Sequence, residues 1–371
     1  MTIAIPAQEY KEFSRALHGD AGKDAKVVNA TIELTYGCNL HCVHCYTDCY
    51  NQPQLIKERE LPYEEVIRIL DQLHDEGVLW ICFTGGEIFM QQDFFDIYLY
   101  AKDKGFLITL FTNVTMITKK IADFLAEHPP FSVSTSCHGA TEETFDKVTQ
   151  VNGSFQCFKE GIRFLLERNL PVNVKTKAMT LNKHQLDEIK AFIEGLGLKC
   201  QVSTDIYPRL NGDLEPCEYR LSPDEVIAVS EQFANDCEHK ECQAQHASWE
   251  PMPPPDDRLY RCGCGTTQVH ISAWGKLGAC TFVGQPRADL RKTSVAEGIA
   301  EVFPLVRATT YQTNSSCRTC HVHRLCHKMP SIAWAENDDP EQPVEHFCQV
   351  AFKQADRLEA MKHNKGGGCH G

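Results

Sequence analysis

The stretch TYGCNLHCVHCY, residues 35–46, places cysteines at positions 38, 42 and 45. Three thiolates on one short loop can hold three irons of a [4Fe–4S] cube and leave the fourth open to a small molecule. Tight cysteine spacings also bind zinc, and the stretch alone leaves both readings open. Residues 27–35, just before it, are apolar and β-branched and read as a strand running straight into the cysteine loop.

Outward from that loop the chain repeats one unit. Val66, Ile69, Leu70 and Leu73 recur at helical spacing within 63–76, and Gly77 closes the helix. A strand follows at 78–84. Further helices are predicted at 93–104, 118–127, 155–168 and 186–196, and further strands at 106–112, 131–136, 172–179 and 199–206. Ser222-Pro223-Asp224-Glu225 forms a capping box that opens a last helix. Strands alternating with helices imply parallel pairing and right-handed crossovers, in an open sheet or a partial barrel. Either architecture gathers functional residues at the C-terminal strand ends, and the cysteine loop lies at one of them.

The next strand ends in Thr84-Gly85-Gly86-Glu87. Glycines let a backbone approach a ligand closely, and a carboxylate can accept from an ammonium group. In isolation such a tetrapeptide is as well read as an ordinary turn. Beside the cysteine loop, it makes residues 27–207 resemble the radical SAM superfamily, with His44 at the usually aromatic position of the CxxxCxΦC signature. The resemblance implies an α/β fold, a partial (β/α)6 TIM-like barrel. It implies a [4Fe–4S] cluster on Cys38, Cys42 and Cys45, and S-adenosylmethionine (SAM) held by Gly85, Gly86, Glu87 and His44. SAM would be cleaved reductively to a 5′-deoxyadenosyl radical. Thr112 and Asn113 stand where the family carries a TNG-like turn, with Val114 replacing the glycine. Ser136 falls where a serine approaches the ribose, and Lys175 or Lys177, on one face of a strand, would meet the SAM carboxylate. Plain polar lining of the barrel accounts for the serine and the lysines equally well. Asp205 is the barrel acid singled out as a base.

Residues 236–259 break the pattern with Cys237, Cys242, His246 and the run PMPPPDD, and read as a linker. Cys262, Cys264, Gly275 and Cys280 follow, with 266–280 patterned as a hairpin turning at Trp274-Gly275-Lys276. Cys317, Cys320, Cys326 and Cys348 complete a series that resembles the SPASM domain, here 260–360, closed by a helix. The resemblance implies one auxiliary [4Fe–4S] cluster on Cys317, Cys320, Cys326 and Cys348. Cys262, Cys264 and Cys280 are candidate ligands of another. His327-Lys328-Met329-Pro330 occupies the place where a further cysteine ligand is expected. That second auxiliary cluster would then keep an open iron, recruit His327 or Cys264, or be absent. A zinc ribbon is the alternative for this domain. The tail 361–371 holds Cys369 and His370 and receives no role.

The 371 residues suffice for a large barrel with an appendage, and 42% of them are hydrophobic. A net charge of −13 argues against a nucleic-acid partner. Nineteen cysteines without a charged-then-apolar leader read as metal-binding rather than disulfide-forming, in a cytoplasmic and anaerobic setting. No apolar run has the length to span a bilayer, so no membrane partner is expected. The extension 1–26 is too short for a peptide-binding domain of its own. The SPASM resemblance implies hydrogen abstraction from a ribosomal peptide and formation of a thioether, a carbon–carbon crosslink or an epimer. Any leader would be read by a separate leader-binding protein or by the barrel itself. A low-potential donor of the flavodoxin or ferredoxin type would supply electrons. Relatives of the same type decarboxylate haem precursors or mature sulfatases, and a non-catalytic iron–sulfur or zinc scaffold is the reading from another class.

Overall fold

The computed structural model describes residues 9–24, 26–47, 59–233 and 249–366. Cys237, Cys242, His246, Cys369 and His370 lie outside these. Strands β1 (Asn29–Thr35), β2 (Trp80–Gly85), β3 (Leu107–Phe111), β4 (Ser132–Ser136), β5 (Val172–Lys177) and β6 (Cys200–Ser203) pair in chain order. Every one of these pairings is parallel. Helices Tyr63–Asp75, Phe94–Asp103, Lys119–Glu127, Ser154–Leu166 and Leu186–Gly195 fall where the periodicity places them. Ile32, Ile81, Phe83, Ile108, Leu110, Val133 and Val174 form the strand side of one large buried core. The alternate residues Thr31, Cys82 and Thr109 face a cavity of about 530 Å³ on the other side of the sheet. That alternation is the two-residue period of a strand, apolar toward the helices and polar inward.

Before residue 236, two α-helices escape the sequence reading. Residues 1–26 read as a polar extension, yet Tyr10–Asp24 is a helix. It lies against Trp80 at the start of β2. His18 stacks 4.8 Å from that indole, whose N–H donates to the Tyr10 hydroxyl at 2.9 Å. The second is Glu142–Thr149, between β4 and the helix Ser154–Leu166.

The larger difference concerns the cysteine-rich part. The expected hairpin forms as β7 (Gln268–Ile271) and β8 (Lys276–Gly278), and Gly275 takes φ +73° in the turn. It does not stand apart from the barrel. β7 pairs parallel to β1, Ala30 opposite Val269 and Ile32 opposite Ile271. With β9 (Ala288–Asp289) the sheet has nine strands in the order β6-β5-β4-β3-β2-β1-β7-β8-β9. Without β7, β1 would expose a row of unpaired N–H and C=O groups. Helices Val295–Ala308, Pro330–Asn337 and Glu345–Gly366 complete the chain. Among the described residues no helix is long and apolar enough to cross a membrane.

Candidate active site

The cysteine loop leaves β1 at the expected end of the sheet and is pinned from three sides. His41 N–H donates to the Thr149 carbonyl at 2.9 Å and Val43 N–H to that of Val148 at 3.0 Å. The unforeseen helix Glu142–Thr149 thus carries the middle of the loop. On the stem, Glu60 accepts from the Tyr36 N–H at 2.6 Å and the Thr35 hydroxyl at 2.9 Å. Beneath it, buried Glu33 accepts from the Tyr36 hydroxyl at 2.8 Å and lies 3.4 Å from His270 of β7. Burial pushes Cys38 up to about 12 and raises Cys42 and Cys45 as well. The thiols also repel one another's ionised forms. Three buried sulfurs within mutual electrostatic reach are a donor set suited to a cationic iron core, which would favour their thiolates. No three His, Cys, Asp or Glu side chains among the described residues converge as they would around a single ion.

The glycines of the second motif have close neighbours within the chain. A Cβ on Gly85 would lie 2.1 Å from the Thr35 carbonyl oxygen, and one on Gly86 2.2 Å from that of Gly37. Gly86 N–H donates to Thr35 at 2.7 Å and Glu87 N–H to Gly37 at 2.8 Å. The close approach is therefore to the stem of the cysteine loop. Glu87 has such neighbours too. Its carboxylate accepts from the Thr112 hydroxyl and the Asn113 N–H, both at 2.7 Å, and from the Phe89 N–H at 3.3 Å. This carboxylate clamps β3 to β2. Burial pushes it up to about 7 against the pull of those hydrogen bonds. Because the folded value exceeds the ordinary 4.5, Glu87 favours folding most below about pH 4.5, and that contribution fades as pH rises through about 7. Urea titrations across this window should show the wild type losing stability relative to Glu87→Gln as pH rises. Parallel slopes would refute the assignment.

Asn113 extends this clamp toward the cysteine loop. Asn113 Nδ2 donates to Asn39 Oδ1 at 2.9 Å and approaches Cys38 Sγ at 3.9 Å, which ties the β3 turn to the cysteine loop. Val114 takes φ +57° with its side chain fully buried, so the turn keeps the glycine-like backbone without the glycine. Ser136 pairs with Lys175 across β4 and β5. Lys175 Nζ lies 5.0 Å over the Phe111 ring on the inner face, and neither it nor Lys177 forms an ion pair among the described residues. His44 is half-buried, and desolvation of its ring holds it neutral. Its ring meets His138 edge-on at 5.0 Å, and the Nδ1 atom of each histidine is buried without a partner. Sequence reading missed His138. Its only signal is a position two residues past the end of β4.

Asp205 lies two residues past β6 and accepts from His327 Nδ1 at 3.0 and 3.1 Å. Burial raises its pKa, but His327, Lys177 and His346 outweigh this and hold it below the carboxylate range. Asp205 is thus an ionised partner of the segment after Cys326. Among the described residues, the cysteines after residue 260 form two neighbouring groups. The Cys264 thiol meets both Cys262 and Cys280. Cys317, Cys320, Cys326 and Cys348 line a cavity of about 530 Å³ that Cys262 also reaches. Met329 packs against Ile332 and Phe347 beside Cys326.

Cysteine loop, clamped glycine segment and parallel strand ends together define an iron–sulfur SAM-cleaving fold. A family model, Radical SAM superfamily, matches residues 32–196. The AdoMet-dependent heme synthase of Methanosarcina barkeri is 32% identical over 330 residues, covering 83% of this chain and 92% of that protein. The PqqA peptide cyclase of Bradyrhizobium diazoefficiens is 28% identical over 359 residues, covering 90% of each. The structure of Streptococcus suis SuiB bound to precursor peptide SuiA superposes with a TM-score of 0.64 at 16% identity, covering 92% of this chain and 83% of that one, which speaks to the fold. The chain belongs to the radical SAM superfamily. It is an enzyme whose cofactors are SAM and a [4Fe–4S] cluster, and its cysteine-rich C-terminal part is of the auxiliary-cluster SPASM type.

Proposed function

We propose that the enzyme abstracts hydrogen from a propionate side chain of an iron porphyrin and releases carbon dioxide, leaving a vinyl group. The observation that carries this reading is the likeness to the M. barkeri heme synthase over 83% of this chain and 92% of that one. The inner face of the barrel agrees chemically. Among the described residues Lys175 and Lys177 have no carboxylate partner at ion-pair distance, although Asp205 lies near enough to act on Lys177, in a chain of net charge −13. A substrate with several carboxylates would supply those partners. When bound, the first cluster supplies the electron that cleaves SAM, and an auxiliary cluster supplies an acceptor for the electron left when the carboxylate departs. Cys38, Cys42 and Cys45 would hold the first group; Cys317, Cys320, Cys326 and Cys348 an auxiliary one. His44 and His138 keep the strand ends closed to water, and Glu87 and Asn113 hold the loop in place.

The test is anaerobic incubation of reconstituted enzyme with SAM, a strong reductant and iron coproporphyrin III. Expected products are 5′-deoxyadenosine, carbon dioxide and a porphyrin lighter by one carbon dioxide and two hydrogens per side chain converted. Uncoupled SAM cleavage with unchanged porphyrin would refute the reading. Replacing Lys175 by alanine should raise the porphyrin KM at least about tenfold with a smaller effect on SAM, as loss of a charge-assisted contact predicts. The second reading is the ribosomal peptide of the sequence analysis. The likeness to the peptide cyclase over 90% of both chains favours it. A crosslinked peptide, made with a low-potential flavodoxin or ferredoxin and a separate leader-binding protein, would decide for it.

A further inference from the structure

Arg209 enters none of the roles above, yet its surroundings are built for one. It lies in the loop after β6, curled by the Gly212 N–H donating to the Arg209 carbonyl at 2.9 Å, with Gly212 at φ +89°. The loop docks on the residue that follows Cys45, where Leu210 N–H donates to the Tyr46 carbonyl at 2.8 Å. The guanidinium is held in a fork. Nε donates to Asp213 at 3.1 Å and one terminal nitrogen to Glu215. The arginine side chain is 10% exposed, whereas the Asp213 and Glu215 side chains are 46% and 54% exposed. Solvent therefore screens the carboxylates more than the cation. The remaining terminal nitrogen is buried and has no hydrogen-bond partner among the described residues. A fixed donor left unsatisfied beside a cofactor loop calls for an acceptor that the described residues do not provide.

We propose that the free terminal nitrogen of Arg209 donates to the sulfur of the [4Fe–4S] cluster held by Cys38, Cys42 and Cys45, and that its charge raises that cluster's reduction potential. Hydrogen bonds to sulfur and local charge are established means of setting such potentials. The proposal rests on the family assignment of that cluster and is independent of the substrate. Asp213 and Glu215 orient the fork, and the Leu210–Tyr46 hydrogen bond fixes its distance.

The test is a redox titration of the full reconstituted chain by electron paramagnetic resonance. The signal perturbed by added SAM identifies the first cluster, and iron and sulfide are counted in each sample. Arg209→Gln should load the same iron but titrate at a more negative potential. Arg209→Lys, which keeps the charge without the fork, should stay close to the wild type. Asp213→Asn, which removes a negative charge and leaves the guanidinium, should titrate at or above the wild-type potential. Equal potentials in all four proteins would overturn the proposal. So would a lysine variant shifted as far as the glutamine one, because charge would then not be the agent. An unshifted potential with weakened SAM binding would also overturn it and assign the nitrogen to SAM. If the glutamine variant fails to load iron, a negative shift in Asp213→Asn refutes the proposal on its own.

Discussion

Alanine at Cys38, Cys42 and Cys45 together should remove about four irons per chain and bring 5′-deoxyadenosine formation below detection. The three sulfurs are the only cysteines on the loop between β1 and the glycine segment among the described residues. The loop's own hydrogen bonds to Thr149, Val148 and Glu60 run through backbone groups and Thr35, not through the thiols. The variant should therefore fold, which makes the iron count interpretable. About eight irons remaining would mean two auxiliary cubes despite Met329, and about four would mean one. The second outcome would set Cys262, Cys264 and Cys280 aside as a thiol cluster without iron. Retained SAM cleavage would place the chemistry elsewhere and overturn the site, and zinc in place of iron would restore the scaffold reading.

Gly86→Ala should destabilise the chain by about 3 kcal/mol and abolish SAM binding. The added methyl would meet the Gly37 carbonyl oxygen at 2.2 Å and that of Tyr36 at 2.7 Å. Both are main-chain atoms of the cysteine-loop stem, so relief requires moving the loop that holds Cys38. Gly85→Ala adds the strain of φ +137° to a 2.1 Å overlap with Thr35. Gly19→Ala is the internal control. It lies in the helix Tyr10–Asp24 with nothing within 4 Å, and should stabilise the protein by roughly 0.5–1 kcal/mol. Denaturant unfolding and SAM-binding calorimetry read both effects. A Gly86→Ala protein as stable as the wild type would show that the two strand ends are not locked together.

The strand–helix register was legible because each unit writes its own period. Leu70 and Leu73 are fully buried on a helix, and β5 alternates buried Val172, Val174 and Thr176 with Asn173, Lys175 and Lys177. The capping box at Ser222 and the turn at Gly275 were equally local and are present. The helix Tyr10–Asp24 was not legible, because its packing residues are few and its partner, Trp80, lies far along the chain. Glu87 and Asp205 were legible as acids at strand ends. Their orientation was not, because it depends on Thr112, Asn113 and His327, which only the folded chain brings to them.

By itself, the sequence determined the alternating architecture, the cysteine loop at one strand end and the spacing of the C-terminal cysteines. These depend on residue types and short intervals. Tertiary structure alone decided that β7 joins β1, that Gly85 and Gly86 make room for the stem of the cysteine loop, and that the loop carrying Arg209 docks on the residue after Cys45. Each of these is a contact between distant segments. Such contacts are fixed by edge pairing, steric closeness and burial, which are properties of the assembled surfaces rather than of local pattern.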